Sequence, residues 1–284
     1  MKLYYFDGKT REFKIGNFGD DLNPWLWDRL LPNVFDRNDE TIFVGIGTLL
    51  NDRLPKEAQK LIFGSGVGYG NLPQVDNTWK TYFVRGHLSA AALELDANLG
   101  LTDPAILVCN LWESPQEKSF KWSYMPHYHE EIFNGNAWRE ICESIGIQYI
   151  NPTAPIEKVL SQIDSSEILL TEAMHGAIVA DALRVPWVAV RTKKDILSFK
   201  WNDWLSTLGT PYTPCTIRRF ASRPGKQGLL RYCDYQFIRT QMMYMMRTAK
   251  PLLSTLSKHK ELEERVSFKL EEFNLDLVNG LFRV

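Results

Sequence analysis

What the sequence lacks narrows its class first. No run approaches the roughly 18 consecutive apolar residues of a membrane-spanning helix. The opening MKLYYFDGKTREFK also reaches charged residues before any apolar stretch of signal-peptide length. A cytoplasmic protein is the expectation. Cysteine is scarce, and Cys109, Cys142, Cys215 and Cys233 show no metal-ligand or redox-motif spacing. They are expected to be reduced packing residues. Neither sign of charge is in excess: 33 Lys and Arg stand against 34 Asp and Glu, a net charge of −1. That balance argues against a basic coat for nucleic acid and leaves only local asymmetry to explain.

What is present suits an ordinary globular enzyme. The 284 residues are 44% hydrophobic and 24% charged, with 15 Phe, 9 Trp and 11 Tyr to fill a core. This length predicts two α/β domains of about 100 residues each and a helical tail.

Short apolar runs bounded by Gly, Pro, Asn or Asp alternate with helical patterns, as βα units and parallel sheets do. KLYYF (2–6), TIFVGIG (41–47), KLIFGSG (60–66), TYFVRG (81–86) and AILVC (105–109) read as buried strands of a first half. NPWLWDRLL (23–31) and HLSAAALEL (87–95) carry apolar residues at three- and four-residue spacings between them, as helices do. The polar stretch NLWESPQEKSFK (110–121) is the linker candidate. After it, KWSYMPHY (121–128), IQYI (147–150), EILL (167–170) and PWVAV (186–190) read as strands. NAWREICESI (136–145), IEKVLSQI (156–163) and AMHGAIVADAL (173–183) read as helices. The expected architecture is therefore two Rossmann-like domains, 1–115 and 116–215, facing a cleft, with a tail over 216–284. Open α/β sheets present ligands at the C-terminal ends of their strands.

The tail is where charge gathers. Residues 218–260 hold ten Lys or Arg against one acid, Asp234, a local net of +9. Such a segment is either a solvated helix whose apolar side covers a domain, or one that lies on an anionic membrane surface.

Six stretches can carry chemistry. In IGNFGDDLNPWLW (15–27), glycines beside Asn17 precede a helix, whose N-terminus favours an anion or sugar. Of Asp20 and Asp21, one can cap that helix and leave the other to hold an acceptor hydroxyl. FGSGVGYG (63–70) offers Gly64, Ser65 and Gly66 in a loop where backbone can approach ligand. Its alternating glycines lack the gap of a dinucleotide fingerprint, so no nicotinamide site is expected. Arg85, at the end of a strand in YFVRGHLSAAAL, suits a paired grip on carboxylate or phosphate, or else a salt bridge at a sheet edge. In EILLTEAMHGAIVADALRVPWVAV (167–190), Thr171 can cap a helix that sets Glu172 and His175 on one face. Glu172 would then tune the imidazole for proton transfer. MPHYHEE (125–131) presents His127 as a ligand-facing residue; without a third ligand at diagnostic spacing, no metal is expected. Finally, Lys200 with Trp201 in SFKWNDWL combines a cation for phosphate with a face for sugar stacking, although tryptophans so spaced also serve as packing residues.

In this order, GNFGDDLNPW, GSGVG, VRGHLSA, LTDPAIL, YMPHYHE, TEAMHGAIVADALRVPWVAV and KWNDW resemble the polysaccharide pyruvyltransferase family over about residues 14–204, particularly its succinoglycan-type members. The resemblance implies a GT-B-like fold. It also implies ketal formation on a saccharide acceptor with phosphoenolpyruvate as donor substrate, and no separate cofactor. It maps the family's arginine onto Arg85 and its histidine onto His175. Many members carry an Arg-Leu-like pair where this sequence has Ala173-Met174, so Lys200 or Arg191 must supply that cation. A lipid-linked acceptor would explain a basic tail on the inner face of a membrane. A nucleotide-sugar glycosyltransferase and a non-catalytic saccharide-binding protein are the competing readings.

Overall fold

The structure, a computed structural model, describes residues 1–8, 15–113, 117–192, 197–220 and 229–282. The domain boundary expected between 115 and 116 falls on residues outside this set, as do 221–228 of the basic segment. Two parallel sheets form the frame. In the first, β1 (Lys2–Tyr4), β2 (Thr41–Val44), β3 (Gln59–Phe63) and β4 (Trp79–Phe83) pair in chain order. In the second, β5 (Phe120–Met125), β6 (Gln148–Tyr149), β7 (Ser166–Thr171), β8 (Trp187–Arg191) and β9 (Cys215–Thr216) take the order β6-β5-β7-β8-β9. All four residues of β2 are buried, as an apolar strand covered on both faces must be.

The helices are α1 (Phe18–Leu30), α2 (His87–Ala92), α3 (Tyr128–Ser144), α4 (Ile156–Asp164), α5 (Met174–Ala182), α6 (Ser198–Thr207), α7 (Leu229–Thr248) and α8 (Leu256–Val278). Helix α1 starts five residues before the expected run and keeps Pro24 inside it. Proline lacks the N–H that would reach the Asp20 carbonyl. The Asn23 amide donates to that carbonyl instead, at 3.2 Å, and exchanges two more bonds with the Ile46 backbone. A side chain thus repairs the helix and ties it to the end of β2.

Two local expectations need correction. AILVC is not a strand but part of a 3-10 helix, Pro104–Asn110. Asp103 caps it by accepting from the Ala105 amide at 3.0 Å, and Pro104 fixes the first helical φ. Helix α2 stops at Ala92 rather than running to 95, and Glu94 sits in the left-handed region at φ 55.

The tail serves both sheets. Ile238, Met242 and Met245 of α7 enter the core with Trp138 and Val190. In α8, Phe273 packs edge-on against Phe43 at 5.3 Å, and Asp276 pairs with Lys80 at 2.7 Å.

A closed polar network joins β4 to α6. Arg85 and Asp203 are fully buried and paired at 3.0 Å. Asp203 also accepts from the Ser89 amide and hydroxyl, while Arg85 donates to Thr48 Oγ1 and the Val67 carbonyl. Removing one member strands the other's charge away from water. Asp203→Ala is therefore expected to lower unfolding stability by about 3–5 kcal/mol in a urea titration.

Candidate active site

A cleft of about 380 Å³ opens where the C-terminal ends of strands from both sheets converge. The loop after β2 contributes Gly47, Thr48 and Leu49, the turn after β5 contributes His127, the start of α3 contributes Tyr128 and His129, and the start of α5 contributes His175. Asn17 precedes α1 and Asp20 lies in its first turn, while Lys200 comes from α6. Five predicted site residues are thereby brought together: Asn17, Asp20, His127, His175 and Lys200.

Each has a definite electrostatic setting. Asp20 accepts from the Asn17 amide at 2.8 Å, yet burial pushes its carboxyl up to about 6. The neighbouring His175, the Asn17 hydrogen bond and Lys200 moderate this rise. Burial pulls the Lys200 ammonium down to about 8, with the Arg85 guanidinium adding to the effect. Lys200 forms no ion pair among the described residues; its Nζ lies 6.0 Å from the Tyr69 ring. His175 keeps 15% of its side chain exposed and sets Nε2 3.4 Å from Asp103 Oδ2. Its ring rests on Gly19, where a β-carbon would come within 2.1 Å of Nδ1. Gly19 is thus required for the imidazole to approach, a reason the sequence did not disclose. His127 caps α3, its Nδ1 facing the His129 amide at 3.4 Å.

The remaining predicted residues stand behind the cleft, and their roles are corrected accordingly. Asp21 accepts from the Asn17 backbone N–H at 3.1 Å and so serves the helix start, leaving Asp20, held by the Asn17 side chain, as the cleft acid. Glu172 precedes α5 instead of lying in its first turn, so it does not share a face with His175. It is buried, accepts from the Thr192 amide and hydroxyl at 2.6 Å each, and takes the His127 amide at 3.3 Å. Burial raises its carboxyl above the usual range. Arg85 has every polar edge directed into the closed network and does not line the cleft. Ser65 is fully buried, donating to the Gly47 carbonyl and accepting from the Leu49 amide, so it shapes the lining loop from behind. Gly66 gives the Arg85 guanidinium passage, with a would-be β-carbon 2.5 Å from its Cζ. Gly64 holds φ +93 against Pro104. Trp201 is fully buried and stacks on Tyr212 at 5.0 Å, which leaves no face for a sugar.

The structure adds residues that sequence reading passed over. Arg53, Tyr69 and Tyr128 join the lining, and Asp103 reaches His175 from the 3-10 helix. The Asp-Pro pair at 103–104 was a usable signal, because a capping acid followed by proline marks a helix start. Among the described residues, no cluster of His, Cys, Asp and Glu can hold a metal, and no helix is long and apolar enough to cross a membrane.

Comparison with known proteins gives this cleft a context. The model of the family described as polysaccharide pyruvyl transferase matches residues 4–194. The succinoglycan biosynthesis protein ExoV of Rhizobium meliloti (strain 1021) is 46% identical over 218 residues, which span 75% of this chain and 67% of that protein. The family-model match contains Asp20, Asp103, His127 and His175, and it ends before Lys200. On this agreement of family model and relative, the chain belongs to the polysaccharide pyruvyl transferase family.

Proposed function

We propose that this protein transfers pyruvyl from phosphoenolpyruvate to two hydroxyls of one sugar in a bacterial exopolysaccharide repeat unit, of the succinoglycan kind, forming a ketal and releasing phosphate. The observation that carries this reading is the convergence in one cleft of His175, Asp20 and Lys200, which has no ion pair among the described residues. The donor brings a carboxylate and a phosphate, and Lys200 is the buried-side cation free to meet one of them. Arg53 stands at the rim for the other. Arg85, with no exposed edge, acts by holding the Thr48 and Val67 loops in place.

In this reading, His175 protonates the methylene carbon of the donor. The resulting oxocarbenium-like centre is attacked by the first hydroxyl, and the second hydroxyl displaces phosphate. Asp20 orients the diol and accepts a hydroxyl proton, for which a carboxyl lifted to about 6 is well matched. Lys200 takes the place of the cation missing at Ala173-Met174. Arg191 is turned to the Thr216 hydroxyl at 3.0 Å and does not line the cleft.

The same reading takes the fold as GT-B-like, with halves at 1–115 and 116–215 and the tail at 216–284. It places the acceptor on a lipid at the inner face of the membrane. Exposed Tyr232, Phe237 and Tyr244 on α7, within the basic segment, support contact with that surface.

Two experiments test the chemistry. His175→Ala is expected to lower acceptor-dependent phosphate release by about 100-fold or more while donor binding is retained; unchanged release would remove His175 from the reaction. Lys200 is charged below its pKa of about 8 and neutral above it, so donor affinity should weaken as pH rises through that value. Lys200→Arg cannot lose its charge and should flatten this dependence, whereas Lys200→Ala should cost about 10- to 100-fold in donor affinity by calorimetry. A wild-type affinity independent of pH over this range would assign the donor's anion to another residue.

A further inference from the structure

Asp103 is bound more tightly into the site than a helix cap requires. Its side chain is fully buried, and Oδ1 alone satisfies the 3-10 helix by accepting from the Ala105 amide. Among the described residues, Oδ2 has no hydrogen-bond donor and faces His175 Nε2 at 3.4 Å, and that nitrogen is likewise buried with no other partner there. A buried carboxylate oxygen without a donor is costly, and an imidazole N–H is the group positioned to relieve it. The other charged or titratable groups that line the same cleft are Asp20, Arg53, His127, His129 and Lys200, with the phenols of Tyr4, Tyr69 and Tyr128.

We propose that Asp103 is the positioning residue of His175, fixing a proton on Nε2 so that Nδ1, beside Gly19, is the nitrogen that gives its proton to the donor. The inference rests on the reading of His175 as the general acid. With Nε2–H held by Asp103, the protonated ring carries its second proton on Nδ1. Transfer of that proton to the methylene carbon leaves a neutral ring with Nε2–H still in place. The separation of 3.4 Å is long for a charge-assisted bond, and such bonds tighten when the reacting groups are engaged. Helix α5 and the 3-10 helix pack directly on one another, so the pair is set by the fold itself.

Nitrogen-15 NMR of the full chain labelled at histidine reads the pair directly. The protein has five histidines, and His175→Ala identifies the resonance of interest. In the wild type, Nε2 is expected to be protonated across about pH 6 to 8. Asp103→Asn keeps the oxygen that caps Ala105 but presents an amide donor to Nε2, which must then accept. The proton moves to Nδ1 of a neutral ring, a far weaker acid. The expected result is the changed tautomer signature, a fall in phosphate-release kcat of about 100-fold, and a donor KM within about twofold of wild type. Thermal unfolding establishes that the variant is folded, and the wild-type spectrum tests the pair without any variant. An unprotonated Nε2 in the wild type, or full kcat in Asp103→Asn while His175→Ala is inactive, overturns this inference alone. Full activity in His175→Ala overturns both it and the assignment of the general acid.

Discussion

The cleft depends on one close approach, the His175 imidazole resting on the backbone of Gly19. Two helix starts from different sheets meet there: α1 follows β1, and α5 follows β7. Any side chain at position 19 would push the ring away and part the two elements at the point where His175 and Asp20 come together. The surrounding contacts hold α1 in this position. The Phe18 amide donates to the Pro152 carbonyl at 2.9 Å, and Trp25 Nε1 donates to Glu157 at 2.8 Å. Asn23 fastens the same helix to the end of β2 while completing the bond that Pro24 cannot make. A helix of the first half is therefore as firmly attached to the second, and Asp20 is carried to His175 as a consequence.

The charged residues divide by exposure into two kinds of work. Arg85, Asp203 and Glu172 are buried with partners on several sides, and they fix the loops and strand ends from which the cleft is made. Asp20 and Lys200 retain access to the cleft and are shifted toward neutrality by burial. The two groups also act on one another: the permanent charge of Arg85 helps pull the Lys200 ammonium down. A rigid ion pair thus tunes a group that faces the cleft without itself lining it.

Much of the frame was legible because parallel strands covered on both faces are written as short apolar runs. TIFV, KLIF, EILL and PWVAV each fall within a strand or overlap one. AILVC fails for a local reason: Asp103 and Pro104 set a helical start that outweighs an apolar run of the same length. The site was legible where a residue's direction follows from a strand end, as for His127, or from a helix start, as for Asp20 and His175. It was not legible where direction depends on packing. Lys200 and Trp201 are neighbours on α6, yet the rotation of about 100° per residue sends one into the cleft and the other into the core against Tyr212. Glu172 and His175 looked like a pair by spacing alone, but α5 begins between them. The partner of His175 comes from residue 103, across a contact that no local pattern encodes.

Helix α6 gives the arrangement its coupling. Lys200 and Asp203 lie three residues apart on it, one reaching the cleft and the other anchored to Arg85 beneath β4. With Ala173-Met174 at the start of α5, the cation for the donor is moved onto this helix, under the proposed function. Donor binding then draws on an element whose position is set by the buried ion pair and by the Trp201 stack, rather than on α5 itself. The acid and the donor's cation consequently sit on separate helices. Only a first half held firmly between α5 and α6 keeps the two at a fixed separation, which is the constraint that Gly19 on one side and Arg85 on the other together satisfy.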